Sequence, residues 1–133
     1  WIKKMKEKTK TWLELATNDL ALAKELSHRK TNVYYAAHFC HQAIEKLLKA
    51  IISERTNAIP LPTYNFKILL NQAGIKDMEL DKKRFIFSLM PHYIGTKYPE
   101  DVTKLYKRYT KIFVQMLYRN TEEVFRWLKV YLK

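Results

Sequence analysis

Tyr34-Tyr35-Ala36-Ala37-His38-Phe39-Cys40-His41-Gln42-Ala43-Ile44-Glu45-Lys46-Leu47-Leu48-Lys49-Ala50 reads as one unbroken helix. Val33, Ala36 or Ala37, Cys40, Ile44, Leu47 and Ile51 recur at steps of three and four, which puts them on one buried face. The small Ala side chains let a second helix approach closely. Beside this stripe runs a polar one of Gln42, Glu45, Lys46 and Lys49 at the same spacing. Two readings stand for it. It is a solvated face in which Glu45 and Lys49 form an (i, i+4) pair, worth about 0.2–0.5 kcal/mol. Or it is a polar groove that takes phosphate or a partner.

Outward from this segment, the pattern predicts helix from about Asn32 to Arg55, since no Gly or Pro stands before residue 60. Upstream, Leu13, Ala16, Leu20 and Ala23 mark the buried face of a first helix over 3–28, with Trp12 beside it. Its basic opening, Lys3 to Lys10, opposes the helix dipole. Arg29-Lys30-Thr31-Asn32 is a short link in which Thr31 or Asn32 can cap the second helix. Such a link makes the two helices antiparallel neighbours. At roughly 1.5 Å per residue, each spans about 35 Å.

Downstream, Pro60 and Pro62 predict an extended loop over 57–63. A short helix follows from Tyr64 to Ala73 and is closed by Gly74. Lys76 to Met90 predicts another helix, ended by Pro91. His92 to Asp101 reads as irregular. The last helix reaches Leu132; its clear part starts near Thr110, and residues 102–109 are open.

The chain of 133 residues has 2 Gly and 4 Pro, too few for the turns of a β-sandwich or barrel. The expectation is one domain over 1–133: an all-α, up-down four-helix bundle with an additional short helix. One Cys excludes a disulfide framework or a multi-Cys metal site, and a reducing, cytoplasmic setting is expected. No apolar run approaches the roughly 20 residues of a membrane span, and no secretory signal is visible. Trp1, not Met, stands first, so residues ahead of it are expected. A bundle core does not hold all of the 18 aromatic residues (3 Trp, 9 Tyr, 6 Phe), so some should reach a surface.

The formal net charge is +12, a field that attracts polyanions such as nucleic acid, an anionic membrane or an acidic protein. Residues 101–133 hold eight basic and three acidic residues, and residues 1–30 eight and four. First and last helices therefore carry most of the excess and, as bundle neighbours, make one basic face.

Catalytic signatures are sparse. There is no Gly-x-Ser-x-Gly elbow, no phosphate-cradling Gly loop and no paired Cys. Adjacent carboxylates at Glu100-Asp101 and Glu122-Glu123 diverge on a helix. His38 and His41 share a helix face with Glu45, but no further ligand motif completes a metal site, and neither metal nor cofactor is implied. Lys97, between Thr96 and Tyr98, offers a cation, a hydroxyl and an aromatic face suited to a phosphate and a stacked base. The other reading has Tyr98 and Pro99 locking the loop against the bundle.

The pattern aromatic-Ala-Ala followed by Gln42-Ala43-Ile44-Glu45-Lys46-Leu47-Leu48-Lys49-Ala50 resembles the second helix of HEPN domains. Trp12, Ala16, Asp19, Leu20 and Ala23 resemble the family's first helix. Pro62-Thr63-Tyr64-Asn65-Phe66 with Leu69-Leu70 resembles its Thr-His-Asn/Asp-Leu segment, and Tyr93 to Asp101 its Tyr-x-x-x-Arg-Tyr-Pro-Asp loop. Thr121 to Leu128 resembles its last helix. The likeness runs in order along essentially the whole chain.

The resemblance implies a helical bundle that dimerises through its helices and has a link to nucleotides or RNA. It also implies a place in a two-gene toxin–antitoxin module with a minimal nucleotidyltransferase as partner. Ribonuclease members carry an Arg and a His a little over one helical turn apart. Here Arg29 and His38 are nine apart and Arg84 and His92 eight apart, both too wide. Tyr64 stands where the family often has His, and Lys97 where it often has Arg, whose bidentate fork Lys lacks. The expected role is a nucleotide- or RNA-binding module, with Lys46, Lys49, Lys97 and Tyr98 as ligand-binding candidates. The alternatives are an active ribonuclease with a non-standard site, drawing on His92, His38 and Arg84, and a purely protein-interaction bundle.

Overall fold

The computed structural model describes residues 4–98 and 101–133. Residues 1–3, where the first helix was expected to begin, and Pro99 and Glu100 of the aromatic loop lie outside the described residues. The fold is an all-α bundle. α1 (Glu7–Ser27), α2 (Tyr34–Arg55) and α7 (Lys111–Leu128) are its long members, and α3 (Phe66–Ala73), α4 (Leu80–Ser88), α5 (Met90–Lys97) and α6 (Val102–Arg108) its short ones. A turn of 3₁₀ helix over Lys129–Leu132 ends it. α4 and α5 follow one another across Leu89 and together form the fourth member.

α2 is the axis. Ala36, Ala37, Cys40, Ala43, Ile44, Leu47, Leu48, Ala50, Ile51 and Ile52 are all fully buried. A helix apolar on so many sides must be enclosed by neighbours, and α1, α3, α5 and α7 all pack on it. α1 runs antiparallel to it. The start of α1 meets the end of α2, where Thr9 Oγ1 donates to Glu54 Oε1 at 2.9 Å and Lys6 Nζ to the Ser53 carbonyl at 3.2 Å. Fully buried Ala16 and Ala23 of α1 let the two backbones come close. α1 also packs on α7, so the two segments richest in basic residues are neighbours.

Local chemistry explains most boundaries. Asn65 caps α3, its Oδ1 accepting from the backbone N–H of Lys67 at 2.9 Å. Gly74 ends α3 with φ 74°, the left-handed position where a Cβ is strained. Asp101 caps α6 and Thr110 caps α7 through the N–H groups of Thr103 and Phe113.

Three expectations need correction. Thr31 and Asn32 do not cap α2; Asn32 takes a left-handed φ of 60° and the helix begins at Tyr34 without a side-chain cap. Pro91 does not end a helix and start a loop. It sits in the first turn of α5, where its missing N–H has no helical partner to lose. The span 92–97, expected to be irregular, is therefore helical. Residues 102–109, left open, form α6 and a break at Tyr109.

Candidate nucleic-acid interface

The polar stripe of α2 faces two different environments. Toward its C-terminal half it turns inward onto carboxylates. Lys46 Nζ is 2.6 Å from Asp19 Oδ2 of α1, and Lys49 Nζ is 3.2 Å from Glu45 Oε2. Lys49 is buried and also lies 5.4 Å from the centroid of the Trp12 ring. Burial raises the Glu45 carboxyl, and the Lys49 charge opposes that rise. Lys46 and Lys49, two of the three lysines expected to bind a ligand, are thus committed to internal ion pairs, with Lys46 the less enclosed.

Toward its N-terminal half the stripe meets α5. Tyr93, Thr96 and Lys97 lie three and four apart and so share a face of α5. The His38 ring stacks on Tyr93 with centroids 5.3 Å apart. His38 Nδ1 is 3.2 Å from Thr96 Oγ1, and its Nε2 3.1 Å from the Gln42 amide nitrogen. The Thr96 hydroxyl donates to the His92 carbonyl at 2.6 Å. Its one proton is spent there, so His38 Nδ1–H is the donor to Thr96 and Nε2 accepts from Gln42. Burial first, and the Lys97 charge second, lower the His38 pKa and favour the neutral ring.

His41, one turn on, is fully enclosed. It stacks on Phe66 at 4.3 Å, and its Nε2 lies 3.2 Å from the Tyr64 carbonyl. Burial pushes its pKa down to about 3. Tyr64, delivered by the loop before α3, stacks on Tyr93 with centroids 4.6 Å apart and planes within 12°.

The outer edge of this stack is cationic. Lys97 Nζ donates to the Tyr93 hydroxyl at 3.1 Å and lies 5.1 Å and 5.6 Å from the Tyr93 and Tyr98 ring centroids. These phenols favour its charged form and raise its pKa. Tyr98 is 64% exposed and Tyr64 41%. The surface presents open aromatic faces around one ammonium group, with the neutral His38 behind them.

The remaining candidates lie elsewhere. His92 is buried, 2.7 Å through Nδ1 from the Tyr109 hydroxyl and edge-on to Phe113. Burial and the neighbouring Arg108 charge lower its pKa to about 4. Arg84 is on the exposed side of α4. Lys97, Tyr98 and His38 come together; His92 belongs to a separate buried cluster. Tyr64, Tyr93, Thr96 and Gln42 complete the face. Of these, Tyr64 was noted only as a departure from a family pattern. Among the described residues no group of three or more His, Cys, Asp or Glu could hold a metal ion, and no helix is long and apolar enough to cross a membrane.

Fold and face together define an all-helical bundle with a cation–aromatic surface mounted on its central helix. Compared with protein-family models, residues 9–131 match the HEPN domain. The chain belongs to the HEPN domain family. No curated protein and no solved structure matches it.

Proposed function

We propose that this HEPN protein binds single-stranded RNA or its nucleotide units through the surface of Tyr64, Tyr93, Lys97 and Tyr98. The observation that carries the reading is the position of Lys97, whose ammonium stands over two tyrosine rings, one of them Tyr98 with most of its surface open. A stacked base needs an exposed aromatic face and its phosphate a nearby cation, and base–aromatic stacking is tolerant of sequence. The net charge of +12 supplies the long-range attraction. Lys46 and Lys49, paired with Asp19 and Glu45, are left out of this binding surface.

In this reading the protein works as a homodimer and as the HEPN half of a toxin–antitoxin pair, with a minimal nucleotidyltransferase as the other half, in the cytoplasm. The family assignment supports this setting. Titration of a short fluorescent single-stranded RNA tests the binding surface. Replacing Tyr98 by Ala is expected to cost about 1–3 kcal/mol of binding, with the fold unchanged by circular dichroism. Equal binding by the variant contradicts the assignment.

A second reading has one specific support. Burial and the Lys97 charge lower the His38 pKa and so favour its neutral form, the form that a general base requires for proton abstraction from a 2′-hydroxyl. For cleavage, Gln42 has to release Nε2. RNA incubated with chelator and either the wild type or His38→Gln checks this. Cleavage lost in the variant supports a ribonuclease; no cleavage by the wild type leaves binding as the function.

A further inference from the structure

Between α3 and α4 runs an open groove of about 500 Å³ with an apolar floor. Ile68 and Leu70 come from α3, Phe87 from α4, and Ile75 and Met78 from the link between them. Gly74 shapes one side. At its left-handed φ of 74° its N–H donates to the Asn71 carbonyl at 3.1 Å, and the Ile75 N–H donates to the Leu70 carbonyl at 3.0 Å. This closure folds the chain back and brings Ile75 to Leu70, both buried. Ile68, on the same helix, is 42% exposed. Apolar surface is thus left uncovered in a concave face.

The rim is cationic. Lys67, Lys76 and Lys83 border the groove from α3, the link and α4, and no carboxylate lines it. Among the described residues none of the three pairs with an acidic group. The carboxylates of the link are engaged elsewhere. Glu79 Oε2 is 3.3 Å from Lys82 Nζ, and Asp77 acts on the Tyr131 phenol, whose pKa burial first and that charge second push up. Lys83 Nζ lies 6.0 Å from the Phe87 ring centroid, so one cation stands at the edge of the floor.

An occupant must carry apolar side chains flanked by carboxylates. A second copy of this chain is a poor match for the three lysines, since each copy has a net charge of +12. A lipid surface takes up projecting apolar side chains, whereas Leu70 and Ile75 are recessed. Nucleic acid wants open ring faces, and this floor is mostly aliphatic. A groove between two helices, open to water on one side, suits a third helix that lays side chains at i, i+3 or i+4 and i+7 into it. Met78, unbranched and adaptable, fits itself to such side chains.

We infer that the groove between α3 and α4 docks an acidic amphipathic helix of a partner protein. The apolar face of that helix fills the space over Ile68, Met78 and Phe87, and its carboxylates meet Lys67, Lys76 and Lys83. The inference does not rest on the RNA reading, and the two surfaces share no residue.

Fluorescence anisotropy of a labelled peptide against the whole protein tests it. The probe is a peptide of about 15 residues with Leu at every third or fourth position and Glu between; its control has the same composition in scrambled order. The proteins are wild type, Lys67→Ala/Lys83→Ala, the charge-matched Lys8→Ala/Lys24→Ala, Ile68→Ala and Lys97→Ala. Lys67, Lys83, Lys8, Lys24 and Ile68 are exposed, so the fold is retained. The wild type is expected to bind the probe at least about tenfold more tightly than the scrambled peptide. Lys67→Ala/Lys83→Ala is expected to lose at least about tenfold, and Ile68→Ala to weaken the probe as well. Lys8→Ala/Lys24→Ala and Lys97→Ala should keep it. The inference is overturned if the wild type does not bind the probe, or binds the scrambled peptide equally well. It is equally overturned if the charge-matched variant loses as much as Lys67→Ala/Lys83→Ala, or if phosphatidylserine vesicles or single-stranded RNA displace the probe. RNA binding that falls in Lys97→Ala and survives in Lys67→Ala/Lys83→Ala leaves the RNA reading standing whatever the peptide does.

Discussion

His92 Nδ1 lies 2.7 Å from the Tyr109 hydroxyl, in the buried space where α5 meets the break between α6 and α7. The same His92 accepts at its carbonyl from Thr96, whose oxygen is 3.2 Å from His38 Nδ1. Tyr109, His92, Thr96 and His38 therefore tie the last third of the chain to the central helix through buried polar groups.

Removing the Tyr109 hydroxyl tests that tie. Tyr109→Phe keeps the ring and leaves the His92 nitrogen without its partner. The expected cost is about 1–3 kcal/mol, read as a lower urea midpoint at unchanged slope. A midpoint equal to the wild type shows that the bond contributes nothing to stability.

Acid sensitivity follows from the buried imidazoles. His92 and His41 have folded pKa values lowered to about 4 and about 3, chiefly by burial, against about 6.5 in an unfolded chain. Between those values the unfolded state binds more protons, so stability falls as pH drops below about 6.5 and is lost progressively toward pH 4 and 3. Each imidazole contributes a slope of about 1.4 kcal/mol per pH unit in that window. Chemical denaturation across pH 4 to 7 measures it. Stability that stays flat or rises on acidification contradicts the burial of these rings.

The Asp19–Lys46 pair, 2.6 Å apart between α1 and α2, stands inside the bundle with both side chains largely covered. Lys46→Met alone leaves a carboxylate without its partner, while Asp19→Leu/Lys46→Met removes both charges. The single variant is expected to be the less stable, by about 1–3 kcal/mol relative to the double. A double variant as unstable as the single one argues against the pair as a linked unit.

Much of this architecture was readable from residue order. The 34–50 stretch carries its own period, and Gly74 marks the end of α3 by its left-handed backbone angle, whereas the Asn65 cap that starts α3 two residues after the expected Tyr64 went unread. Pro91 misled because the residue that terminates a helix from within is also tolerated in a first turn, and only the backbone distinguishes the two. The candidate surface was half legible. Lys97 and Tyr98 stand together in the chain, but Tyr64 meets Tyr93 and His38 meets Thr96 across 29 and 58 residues. No local spacing encodes such contacts. Lys46 and Lys49 looked like free cations because the sequence does not show that Asp19 lies opposite one of them or how deeply the other is buried.

The salt dependence of single-stranded RNA binding by the wild type and Lys97→Ala tests the account most directly. Each phosphate neutralised on a single strand contributes about 0.7 to the slope of log affinity against log salt. The expected result is weaker binding by Lys97→Ala at low salt, with a slope smaller by about that amount. Equal affinity and equal slope for the two proteins would contradict the placement of RNA on the Lys97 surface.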